Sequence, residues 1–132
     1  ILRVALPQPE NAPQIAKKVL LWYRKQALTD FSRRLEILAA KLGVPTPALF
    51  LSNARSRWGS CGPNAQMSFS WRLVFAPPEV VDYLVAHEVA HLVHLNHGPR
   101  FWALAETLCE GSLKSAEAWL RRNGEVLLQY GV

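Results

Sequence analysis

The segment Pro78-Glu79-Val80-Val81-Asp82-Tyr83-Leu84-Val85-Ala86-His87-Glu88-Val89-Ala90-His91-Leu92-Val93 decides how this chain is read. It opens on Pro77-Pro78-Glu79, which puts proline in a first helical turn and a carboxylate at the positive end of the helix dipole. The spacing predicts a helix running to about His94. Its apolar residues fall on nearly every side, so the helix is expected to be buried. Burying two histidines and a glutamate is costly unless they find partners. His87 and His91 lie four residues apart, one turn apart on one face, so both imidazoles can reach a single ion. Glu88 is rotated by about 100° from His87, beside the ion, where it can take a proton from water and pass it to a leaving amine. Zinc suits such a site, because it accepts neutral imidazole, is redox-inert and lowers the pKa of bound water. Short patterns of the HExxH type arise by chance. The bland alternative is a pair of hydrogen-bonded core histidines with Glu88 at the surface, and the apolar context weighs against it.

A third protein ligand is expected, and two kinds of position compete for it. His97 precedes Gly98-Pro99, a turn that can bring the chain back towards the ion. The resulting spacing, HExxHxxHxxH, matches the metzincin pattern except that His94 stands where those proteins have a turn glycine. The rivals are carboxylates on the following helix, Glu106 and Glu110. His97 is preferred. His94 is assigned to the ion's surroundings or to the surface. Cys109 sits in an apolar helical context, and Cys61 is an outsider for a ligand or switch role.

Outward from this helix, Asn96, Gly98 and Pro99 break the chain. A helix is expected from Arg100 to about Glu110 and a last one from Ser115 to Gln129. Upstream, Ala48 to Ser52 reads as a short strand. Arg55 to Cys61 leads through the turn cluster Gly62-Pro63-Asn64-Ala65 into Met67 to Phe75, which alternates apolar and polar residues. Strand, turn and strand predict a small antiparallel sheet, with the Met67–Phe75 strand exposing an edge beside the cleft. Further upstream, Gln14 to Leu42 is strongly helical, with Asn11 and Pro13 as a start, Thr29-Asp30 as a possible division and Gly43 as the end. The order of helix, small sheet and helices makes an α+β domain.

Composition bounds the rest. The chain has 132 residues, half of them hydrophobic, an ordinary globular balance. Lys and Arg number 15 against 10 Asp and Glu, a net charge of +5. That suits an anionic partner, but the basic residues of the first helix read better as a solvated face, and nucleic-acid binding has only the charge behind it. The two cysteines form no CxxC pair, consistent with a reduced cytoplasmic protein. No run is long enough to span a bilayer, so no membrane partner is expected.

Three stretches together carry a family likeness: Arg57-Trp58-Gly59-Ser60-Cys61, then Trp71-Arg72-Leu73-Val74-Phe75-Ala76-Pro77 leading into Asp82-Tyr83, then His87 to His91 with His94, Asn96-His97 and Phe101-Trp102. In these the chain resembles the YgjP-type metallopeptidase-like domain, related to the SprT-like and WLM zinc proteases. The resemblance implies a zincin-like minimal metalloprotease core spanning residues 1–132 as one domain. It also implies His87, His91 and His97 as zinc ligands and Glu88 as general base. Two departures stand out. Ser70 replaces an asparagine common in the family, and the β-rich segment usual upstream in such proteins is expected to be represented here only by a stub at Ile1 to Leu6.

Trp58 and Trp71 are expected to pack against the metal-bearing helix, with Gly59 permitting a close approach. Phe101 and Trp102 are expected to clamp the returning chain into the core. Arg57 is a candidate for binding a substrate carboxylate or phosphate. The leading function is a zinc-dependent metallopeptidase acting on peptide or protein. The alternatives are a metal-dependent hydrolase of nucleoside triphosphates and a non-catalytic, zinc-stapled binding module.

Overall fold

A computed structural model describes residues 12–55 and 57–129. The Ile1–Leu6 stub and the Asn11 helix start lie outside those residues. The elements run α1 (Ala12–Leu42), β1 (Leu49–Ser52), β2 (Gly59–Cys61), β3 (Met67–Ser70), a 3-10 turn (Trp71–Phe75), α2 (Pro78–Ala90), α3 (Pro99–Leu108) and α4 (Leu113–Leu128). This is an α+β architecture with a small sheet and a dominant helical part, compatible with a minimal zincin-like core.

α1 is one continuous helix of 31 residues, so Thr29-Asp30 does not divide it. The reason is local: Asp30 accepts from Arg33 Nη2 and Arg34 Nε, each at 2.9 Å. These pairs at i,i+3 and i,i+4 support the helix instead of capping a break. It ends where expected. Gly43 takes φ 78°; its N–H bonds to Ala40 O at 3.1 Å and that of Val44 to Ala39 O at 3.0 Å, the Schellman arrangement.

The sheet corrects the antiparallel expectation. Its strand order is β1-β3-β2, with β2 antiparallel and β1 parallel to β3. The hairpin is therefore as read, but β3 inserts between β1 and β2. Asn53, just after β1, is tied to the far end of β3. Its Oδ1 accepts from Trp71 Nε1 at 3.0 Å and its carbonyl from Arg72 Nη1 at 3.4 Å. The link from β1 to β2 thus passes beyond the end of β3. A second correction follows: β3 is the central strand, and β2 supplies the edge.

β3 is also shorter than the alternation suggested. Ser70 is fully buried, and its hydroxyl accepts from Arg72 N at 3.3 Å, capping the 3-10 turn that replaces the second half of the expected strand. This gives Ser70 a local backbone role. Arg72, also fully buried, lays its guanidinium 5.0 Å from the centre of the Trp71 ring.

α2 sits in the middle of the molecule, against α1, α3, α4 and β2. Its Val80, Val81, Leu84, Val85 and Val89 join Phe31 and Leu35 of α1 and Phe69 of β3 in one core. Phe31 and Phe69 meet edge-on at 6.0 Å. The α-helical part of this segment stops at Ala90, earlier than expected. The next residues tighten, with His91, Leu92 and Val93 donating to the carbonyls three residues back. Trp58 is half-buried and packs against the shared core to which α2 contributes. It also packs on Gly124 of α4, where a Cβ would come within 3.3 Å of its ring. Gly59 is needed for a close approach: a Cβ there would lie 2.9 Å from the Phe69 ring. Among the described residues no helix is long and apolar enough to cross a membrane.

Candidate metal centre

The burial of α2 aims its C-terminal end at a cleft. His87 and His91 sit one turn apart there, ring centroids 5.1 Å apart. His91 keeps a helical backbone (φ −67°, ψ −13°) although it caps the helix. The loop between α2 and α3 returns His97 to within 5.0 Å of the His87 ring and 4.8 Å of the His91 ring. One ligand nitrogen from each of the three lies within 4.8 Å of the others. Among the described residues, this trio is the cluster of histidine, cysteine or carboxylate groups that could hold a metal ion.

The hydrogen bonds around the trio show which nitrogens face inward. His91 Nδ1 bonds to the carbonyl of His94 at 3.0 Å, and His87 Nδ1 to Glu88 Oε2 at 3.1 Å. A carbonyl and a carboxylate only accept, so both Nδ1 atoms carry the proton and both Nε2 atoms keep their lone pairs. His91 Nε2 and His97 Nε2 then face each other at 2.9 Å. The Nε2–H tautomer of His97 can donate across that gap, and its Nδ1–H tautomer leaves both facing lone pairs free for a shared cation. The donor set fits a metal of borderline softness. Loss of solvation, then the facing His87 and His91, lower the His97 pKa against the opposing Glu88 charge. That favours the neutral form, the one that can ligate.

Phe101 supports all three rings. It is fully buried in the first turns of α3, with centroids 5.1 Å from His87, 4.6 Å from His91 and 4.7 Å from His97. Trp102 lies 5.8 Å from both His87 and His97. Phe101 therefore does clamp the returning chain, and it also fixes the plane of each imidazole.

A cavity of about 420 Å³ adjoins the trio. Glu88 and His91 form its floor, Cys61, Gly62, Pro63 and Ala65 of the β2–β3 hairpin one wall, and Leu92 and Leu95 the other. Glu88 is only 6% exposed, so its carboxylate is held near the histidines and not at the surface. Burial first, and the Glu88 charge second, push the Cys61 thiol above its ordinary pKa, keeping it neutral.

Of the residues singled out in the sequence, the structure brings together His87, Glu88, His91 and His97. It leaves the rival carboxylates outside. Glu106 is exposed, and Glu110 turns away to Lys41 at 3.8 Å. Arg57 is exposed and does not line the cavity. Cys109 is buried at the end of α3. The residues not foreseen are the hairpin tip and Leu95 as cavity walls, and the His94 carbonyl as partner of His91. The His94 contact is made by backbone, so no residue type signals it. Phe101 had a signal, an aromatic four residues after His97 in the turn that follows Gly98-Pro99.

A family model described as YgjP-like, metallopeptidase domain, matches residues 2–123. No curated protein and no solved structure matches the chain.

Proposed function

The chain belongs to the YgjP-like metallopeptidase-domain family, and from that premise we propose that it is a zinc-dependent peptidase. His87, His91 and His97 hold the ion and Glu88 is the general base. The observation that carries this is the convergence of three imidazoles whose nitrogens lie within 4.8 Å, two of them oriented by outer Nδ1 bonds. Such outer bonds fix tautomer and ring direction in metal-ligating histidines. Zinc bound there supplies Lewis acidity towards a scissile carbonyl and makes water a nucleophile near neutral pH.

The chain's own groups do the rest. The Glu88 carboxylate, buried on the cavity floor, accepts a proton from the attacking water and returns it to the leaving amine nitrogen. β2 lies at the sheet edge and its Cys61 lines the cavity, so an extended peptide can add along this edge and present its carbonyl to the floor.

Peptide is favoured over nucleotide by charge. No lysine or arginine among the described residues lines the cavity, and its floor carries a carboxylate. Phosphate recognition ordinarily calls on Arg or Lys donors. The test is a screen of zinc-loaded protein against casein and nucleoside triphosphates, with and without chelator. The expected result is casein cleavage that chelator abolishes and zinc restores. Nucleotide turnover without peptide cleavage would overturn the reading in favour of anhydride hydrolysis. Inertness towards both, with a DNA gel shift that survives raised salt, would favour a binding module.

A further inference from the structure

The cavity beside the histidines has a chemistry that narrows the substrate. Its hairpin wall offers Pro63, Ala65 and a thiol, its opposite wall Leu92 and Leu95. Leu95 is 87% exposed at the rim, where a side chain entering the cavity would cover it. At about 420 Å³ the cavity falls within the range of about 300 to 1,000 Å³ found for sites that enclose small ligands. It is continuous with Glu88 and His91, so whatever fills it sits next to the reacting carbonyl.

Resting on the peptidase reading, we infer that this cavity is a subsite for an apolar side chain flanking the scissile bond, such as leucine, methionine or phenylalanine. Leu95 and Leu92 determine that specificity. An acidic side chain would meet the Glu88 carboxylate, and a basic one would be stripped of water between two leucines. An aliphatic or aromatic side chain covers Leu95 and loses nothing in solvation.

The experiment maps cut sites in a mixed library of unfolded peptides by mass spectrometry. It uses the zinc-loaded parent, Leu95→Asp and Leu95→Arg, and Leu95 is exposed enough for all three to fold. In parallel, calorimetry measures Ala-Leu-Ala and Ala-Asp-Ala binding to zinc-loaded Glu88→Gln, with and without Leu95→Asp. The parent should enrich apolar residues at one position flanking the cut. Leu95→Asp should lower kcat/KM for such peptides by about tenfold or more, and Leu95→Arg should move the preference towards aspartate and glutamate. Cleavage without apolar enrichment, or a profile unmoved by Leu95→Asp, would overturn the subsite and leave the peptidase reading standing. If the parent cuts no peptide, the peptidase reading falls. The subsite then survives only if Ala-Leu-Ala binds more tightly than Ala-Asp-Ala and Leu95→Asp removes the difference; otherwise it falls too.

Discussion

His87 and His91 reach the cleft on a helix, whereas His97 reaches it on a loop. The helical pair is half-buried and backed by the core face of α2. Its spacing is set by backbone hydrogen bonds, and its Nδ1 atoms are already engaged. His97 is exposed and owes its position to the turn at Gly98-Pro99 and to the Phe101 ring beneath it. The difference teaches how a small fold builds such a centre. Two of the proposed ligands are set in place by helix geometry, and the third is brought in by a loop whose aim depends on packing one turn later. The helical pair should therefore matter more to affinity than the loop ligand.

The largest effect should come from His91→Ala, which removes a preorganised member of the proposed ligand set. Partners of ligands cost about 10- to 100-fold in metal affinity when lost, so a ligand itself should exceed about 100-fold. Competition with a chelating dye measures this. His97→Ala should fall short of that loss, because water can occupy the place of an exposed loop side chain. An equal or larger loss would break the comparison. Phe101→Leu should come next, lowering stability by about 1 kcal/mol in thermal unfolding, since volume is nearly kept but contact with three rings is not. It should weaken zinc binding along with stability, which an ordinary core swap far from the site would not do. The smallest effect should be His94→Ala, within about 0.5 kcal/mol in stability and without change in metal content. Its backbone carbonyl survives to hold His91 Nδ1, so a clear loss of metal would show that the side chain contributes.

The same contrast explains what could be read from the residues alone. The helix over His87–His91 was legible because periodicity and residue type both speak there, and Gly43 announced the end of α1 for the same reason. Asp30 was ambiguous, because an aspartate that caps and one that pairs with Arg33 and Arg34 look alike in sequence. The insertion of β3 between β1 and β2 was not legible. It rests on Asn53 bonding to Trp71 and Arg72, contacts 18 and 19 residues apart. Ser70 ended β3 through a side-chain bond to backbone, which the alternation of its neighbours concealed. At the site, His97 could be preferred but not separated from Glu106 and Glu110 by spacing. The cavity walls come from two segments distant in the chain, Cys61 to Ala65 and Leu92 to Leu95, and only tertiary packing joins them.

The most direct test of the central claim is Glu88→Gln, assayed for metal content by elemental analysis and for casein hydrolysis in the same preparation. Glutamine keeps an accepting oxygen for His87 Nδ1 but cannot take a proton from water. The expected result is the parent's metal content with turnover reduced by about 10²- to 10⁴-fold. Hydrolysis of unfolded protein at the parent's rate with metal in place would contradict Glu88 as the base.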